Sequence, residues 1–157
     1  MDRRQALRAA FSVPLLAAFA PRAEGKDYAD AAELLQAIDG LEAGVATRLR
    51  AIAQAMPAAR AFAESCLSDH DRHRQGRQRL RRRLRVAAPA PGGSEVTSPL
   101  SLDALRNAQE ALVYAHAEGL PVLGDAVAVD ALARDMVRLS RQLTVIDLWI
   151  ESEAAAG

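Results

Sequence analysis

An all-α four-helix bundle is the fold class that this 157-residue sequence predicts, on three observations. Alanine, leucine and arginine dominate and aromatic residues make up only 4%, a balance that favours helix nearly throughout. Apolar side chains recur three or four positions apart in four separate segments, the spacing of one face of an α-helix. Proline, glycine and serine punctuate the gaps between those segments, and no stretch of period-two alternation competes.

The first helix is expected from about Tyr28 to Ala55, with Leu34, Ile38, Leu41, Val45, Leu49, Ile52 and Met56 on its stripe. Pro57 fits the first turn of the second helix, where a missing N–H costs nothing. Phe62, Cys66, Leu80 and Leu84 mark the apolar line of that helix, which ends near Val86. Ala87 to Pro99 is a linker, rich in Pro, Gly and Ser. It is longer than a tight antiparallel turn needs, so it either crosses between non-adjacent corners of the bundle or moves freely. The third helix starts at Ser98 or Ser101 and runs to Glu118, with Leu102, Leu105, Leu112 and Val113 inward, until Gly119-Leu120-Pro121 breaks it. The fourth runs from about Gly124 or Asp125 to Glu153, and its stripe is Val129, Leu132, Met136, Leu139, Leu143, Ile146 and Ile150. Each stripe needs the others to leave water, and a four-helix bundle satisfies all four.

Residues 1–20 read as a signal segment and 21–157 as the bundle domain. An arginine pair precedes an apolar run from Ala9 to Ala20, and Ala18-Phe19-Ala20 has the small-x-small form of a cleavage site. The run is too short for a membrane span and contains Ser12 and Pro14, so no stable membrane insertion is expected after processing. Arg3-Arg4-Gln5-Ala6-Leu7-Arg8 resembles the core of a twin-arginine leader, with Asp2 in place of the usual Ser or Thr and Ala6 in place of the usual Phe. That resemblance implies export of an already folded protein, to the periplasm or beyond, often with a cofactor or a cofactor-bearing companion. An ordinary secretory leader and an uncleaved anchor are the alternatives.

Basic and acidic residues balance at 20 each; losing three arginines and one aspartate with the leader leaves 17 against 19. Such a balance argues against nucleic-acid binding. The single cysteine, Cys66, excludes an internal disulfide framework and a C-x-x-C-H haem attachment, and reads as a small core residue or, alternatively, a soft ligand. Eight arginines lie between Arg72 and Arg85, of which only Arg77 falls on the inward line. The rest form an exposed basic face that either complements the helix dipole or docks an acidic protein, lipid headgroups or another polyanion.

The informative exceptions are polar residues at inward positions. Glu42 falls on the line Ile38, Glu42, Val45, Leu49; the line Phe62, Cys66, Asp69/His70, His73 turns polar for about one turn; and His116 follows Leu105, Gln109 and Leu112, with Glu110 flanking. Asp147 lies beside the fourth stripe, and Asp135 faces more outward. His70 and His73 are three apart and Asp69 and His73 four apart, so either pair shares a helical face. Imidazoles and carboxylates converging from rigid helices are what a borderline or hard divalent ion requires, and burying them without partners is costly. The candidate metal ligands are therefore Glu42, Asp69, His70, His73 and His116, with copper, iron or zinc as the ion. Hydrogen bonding of each histidine to a nearby acid or serine is the structural alternative. No nucleophile–base pair, phosphate loop or H-E-x-x-H appears, so no catalytic or organic-cofactor residues are assigned and whether the protein is an enzyme is left open.

From Tyr28 to Glu153 the chain resembles the ferritin-like superfamily, in particular the small exported ferritin-like domains, through its helix lengths, its long middle crossover, and Glu42 with the histidine-bearing second helix. In iron-binding members of that superfamily helices one and three each give a Glu, and helices two and four each give E-x-x-H. Glu42 and Glu110 match the two glutamates, but Leu67 stands three before His70 and the fourth helix has no histidine. The resemblance thus implies the bundle without a complete di-iron set, and a mononuclear site instead. Two functional readings follow: a metal-binding exported bundle, and a non-catalytic accessory or escort protein docking to a redox enzyme through its arginine-rich helix. A protein partner or a homodimer is compatible with either.

Overall fold

The computed structural model describes residues 27–88 and 101–156, so the leader and most of the Ala87–Pro99 linker lie outside the described residues. Four helices carry the fold: α1 (Ala31–Ala55), α2 (Arg60–Leu84), α3 (Leu102–Gly119) and α4 (Ala126–Ala156). No strand occurs among the described residues, and no helix there is long and apolar enough to cross a membrane.

Local chemistry explains the helix ends. The Asp30 carboxylate accepts the Glu33 N–H at 2.9 Å, a donor that α1 cannot satisfy internally, and Glu33 reaches back to the Ala29 N–H just ahead of the cap at 2.9 Å. Pro57 opens a single 3₁₀ turn, Pro57–Ala59, that leads into α2. That helix stops at Arg85, which adopts a left-handed φ of 55° while the Val86 N–H returns to Arg81 O at 2.9 Å. Ser101 caps α3 through the Ala104 N–H at 3.0 Å. Asp125 caps α4 through the Ala128 N–H at 2.9 Å and also takes Arg83 from the end of α2 at 2.9 Å.

Neighbouring helices are antiparallel. Asp39 meets Arg77 across α1 and α2, Gln109 meets Gln142 across α3 and α4, and Asp69 meets Gln142 across α2 and α4. α1 packs along both α2 and α3, α4 packs along α3, and α2 and α4 touch more lightly. Thus α2 and α3 occupy opposite corners and run in the same direction. The core between them is apolar: Leu34, Leu35, Ile38 and Leu49 from α1, Leu105, Leu112 and Val113 from α3, Leu132, Leu139 and Ile146 from α4. The α1–α3 contact is close enough to require glycine. A Cβ on Gly119 would overlap the Leu34 side chain, and Leu34 is itself fully buried. Gly119→Ala is expected to cost about 1–3 kcal/mol by overpacking. Gly40→Ala, with nothing within 4 Å of the new carbon, should be neutral or gain up to about 1 kcal/mol. Urea unfolding of the two variants checks this contrast.

Candidate metal centre

α2 differs from its neighbours in what it buries. Its inward face holds Ala63, Cys66 and Leu80 but also His70, His73, Arg77 and Arg81, which repeat three or four apart and so form one ridge against α1. α1 answers with two carboxylates three residues apart. Arg77 Nε donates to Asp39 Oδ1 at 2.6 Å and its Nη2 to Glu42 Oε2. Arg81 Nη2 donates to Asp39 Oδ2 at 2.5 Å, and its Nη1 to the Ala87 carbonyl at 3.0 Å. The result is a ladder of alternating charge, Arg81–Asp39–Arg77–Glu42, formally neutral. Arg77 is only 1% exposed, a depth at which a charge is tolerable only when paired and hydrogen-bonded. Burial alone would lower the Arg77 guanidinium, but Glu42 and Asp39 outweigh it and hold its pKa above the usual value.

The second oxygen of Glu42 faces the imidazoles. His70 Nδ1 donates to Oε1 at 2.9 Å, and His73 Nδ1 lies 3.6 Å from the same atom. Burial would raise the Glu42 carboxyl, yet the His70 hydrogen bond and the Arg77 guanidinium hold it far below the usual carboxylate range, so it is an anion at any physiological pH. Glu42, His70 and His73 are all buried, and one ligand atom from each lies within 4.8 Å of the others. The two rings stand edge to face, 81° apart with centroids at 5.9 Å. Neither nitrogen of His73 has a hydrogen-bond partner, although its Nε2 lies 3.5 Å from Asp135 Oδ1; His70 Nε2 is also buried without one. Deep polar atoms in this state are rare because each carries the full cost of lost hydration.

Of the five residues expected from sequence, three therefore meet. His116, on α3, is fully buried and close enough to Arg77, Glu42 and His73 for their charges to act on it, but it stands outside the three-residue group. Its Nδ1 donates to the Leu112 carbonyl at 2.8 Å, which fixes the tautomer and leaves Nε2 as a buried lone pair with no hydrogen bond. Asp69 belongs to a different network: it pairs with Arg72 at 3.1 Å and accepts from Gln142 Nε2 at 3.2 Å, while Gln142 Oε1 accepts from Gln109 at 3.0 Å. Glu110, the position matching a third-helix ligand, pairs with Arg106 at 3.1 Å on the flank of the α3–α4 pair. Burial, reinforced by Asp69, pushes the Cys66 thiol up to about 12, so it packs as a small apolar residue and supplies no thiolate at neutral pH.

Two clefts flank the cluster. One, of about 380 Å³, opens between α1 and α2 and is lined by Glu42, His70 and Arg77 with Arg50 and Arg74 at its rim. The other lies between α2 and α4 and is floored by His73 and Asp135. Sequence reading missed Asp39 and Arg81, and it placed Asp135 facing more outward, whereas its carboxylate lies 3.5 Å from His73 Nε2 with the side chain only 15% exposed. For Asp135 a signal existed: Ala128, Leu132, Asp135, Leu139, Gln142 and Ile146 repeat at four and three residues, the seam of a packed helix. Two of its six members are polar and one is alanine, which hid it behind the bulkier residues beside it.

No family model matches the chain, and neither a curated protein nor a solved structure matches it.

Proposed function

We propose that this protein is an exported helical bundle that binds one divalent transition-metal ion through Glu42, His70 and His73. The observation that carries this reading is the approach of His73 Nδ1 to Glu42 Oε1: 3.6 Å, at 1% exposure, with no hydrogen bond made by that nitrogen. Ligand atoms about 2.0–2.1 Å from a tetrahedral ion are about 3.3 Å from one another, and the two histidine-to-Oε1 distances, 2.9 and 3.6 Å, bracket that value. To bind, His70 Nδ1 would release to solvent, or pass to its Nε2, the proton it now donates to Oε1. Two imidazoles and one carboxylate suit zinc, iron or copper in preference to calcium or magnesium. Arg77 on Oε2 fixes the carboxylate and keeps it ionised, at the cost of some repulsion toward a cation on Oε1. The placing of α1 beside α2 and α3, with α4 diagonal to it, supports a ferritin-like arrangement, and the arginine-pair leader supports export.

The test is elemental analysis and calorimetric titration of chelator-stripped protein with zinc, cobalt(II) and copper(II). One ion per chain is expected, with binding lost in His73→Ala and His70→Ala and at least tenfold weaker in Glu42→Gln. Failure to retain any stoichiometric ion would overturn the reading. A second reading, an escort for a redox enzyme, draws on the arginine run. Among the described residues Arg79, Arg82 and Arg85 are exposed and have no ion-pair partner, which leaves a basic edge on α2 for an acidic partner surface. Replacing these three by glutamine would abolish co-purification with such a partner and leave metal binding unchanged.

A further inference from the structure

Resting on the metal reading, we infer that Asp135 is a positioning residue for that site: it holds the Nε2–H tautomer of His73, so that the Nδ1 lone pair faces Glu42 Oε1. A neutral His73 ring carries one proton, and acceptors on two sides compete for it. On the Glu42 side both carboxylate oxygens are already engaged, Oε1 by His70 Nδ1 at 2.9 Å and Oε2 by Arg77. On the far side stands Asp135 Oδ1, 3.5 Å from Nε2. Its carboxylate makes no hydrogen bond among the described residues, and its side chain is only 15% exposed. An acceptor that takes no other donor competes better for the proton than an oxygen that already accepts from His70, and this favours the proton on Nε2.

The consequence falls on Nδ1. With the proton held at Nε2, a lone pair and a carboxylate oxygen confront each other at 3.6 Å inside the bundle. Two acceptors repel at that separation, and a cation between them turns the repulsion into two bonds. Asp135 stands 3.5 Å from Nε2 without bonding it, and a closer approach would complete the carboxylate–imidazole pair that orients a metal-binding ring and raises its basicity. The line Glu42–His73–Asp135 crosses the bundle from α1 through α2 to α4, giving α4 a role in a site to which it supplies no ligand.

The experiment uses ¹⁵N-edited spectra of the His73 ring in metal-free protein, together with zinc titrations of the full chain. Wild type is expected to show the Nε2–H tautomer, and Asp135→Asn to shift it toward Nδ1–H and weaken zinc binding 10–100-fold. Asp130→Asn, an exposed acid on the same helix already paired with Arg134, should change neither. If Asp135→Asn leaves tautomer and affinity as in wild type, the inference is overturned. If wild type binds no zinc but the tautomer still shifts in Asp135→Asn, the metal reading fails while Asp135 keeps its hold on the ring.

Discussion

Replacing Arg77 with methionine is expected to remove about 3–5 kcal/mol of folding stability, because it strands a buried anion. Methionine fills similar volume, so the loss does not come from a cavity. It comes from Glu42 Oε2, whose guanidinium partner disappears while the carboxylate stays buried and keeps only its His70 bond on Oε1. Asp39 suffers less, since Arg81 still holds its other oxygen at 2.5 Å. The same logic makes the double substitution informative. Glu42→Gln with Arg77→Met removes both charges at once and leaves the Asp39–Arg81 pair to neutralise itself. Its loss should fall short of the sum of the single losses by about 1–3 kcal/mol, the coupling expected for residues in one network. Urea unfolding of the four proteins in chelator measures the cycle. Losses below about 1 kcal/mol for Arg77→Met, or simple additivity, would show that the charge ladder does not organise this core.

This ladder also marks the limit of what the sequence disclosed. The four helices were legible because their apolar stripes keep a regular period, and Glu42, His70 and His73 were legible as interruptions of those stripes. The partners of the interruptions were not. Asp39 sits three residues before Glu42 and four after Leu35, an inward position that reads as an ordinary surface acid until Arg77 and Arg81 are seen opposite. Arg81 was hidden within a run of eight arginines, where one-dimensional reading cannot separate a buried guanidinium from its solvated neighbours. Asp69 misled in the other direction. It shares a face with His73 by spacing, yet it lies one residue, about 100° of helix rotation, from the ridge carrying His70. That rotation turns it to Gln142 on α4 and away from α1. Periodicity locates a side chain to within a face; which neighbour it meets depends on the order of helices around the square, which the two corners taken by α2 and α3 decide.

Acidification is expected to destabilise the metal-free protein progressively below about pH 6.5, and His116 is the cause of the first part. Burial pushes its pKa from 6.5 down to about 4, against the smaller opposing effect of its hydrogen bond to Leu112. The unfolded chain therefore binds a proton that the folded chain refuses over this interval, and stability falls as pH falls. The contribution is fully present above pH 6.5 and is lost by about pH 4, a total loss of about 3 kcal/mol. Glu42 acts in the same direction in a lower window. Its pKa is depressed in the folded state, so its stabilisation is intact above the ordinary carboxylate range, begins to fade below about pH 4.5, and is lost as the carboxyl takes up its proton. Between pH 6.5 and 4.5 the difference between wild type and a non-titrating variant isolates the His116 part of the slope. His116→Asn keeps a donor for the Leu112 carbonyl but cannot titrate, so it should flatten the stability–pH curve there by up to about 1.4 kcal/mol per pH unit while lowering stability at pH 8 through lost packing. An NMR titration of the ring gives the direct check: a midpoint near 4 supports the assignment, and a midpoint near 6.5 would mean that water reaches His116 and that the bundle centre is open to protons.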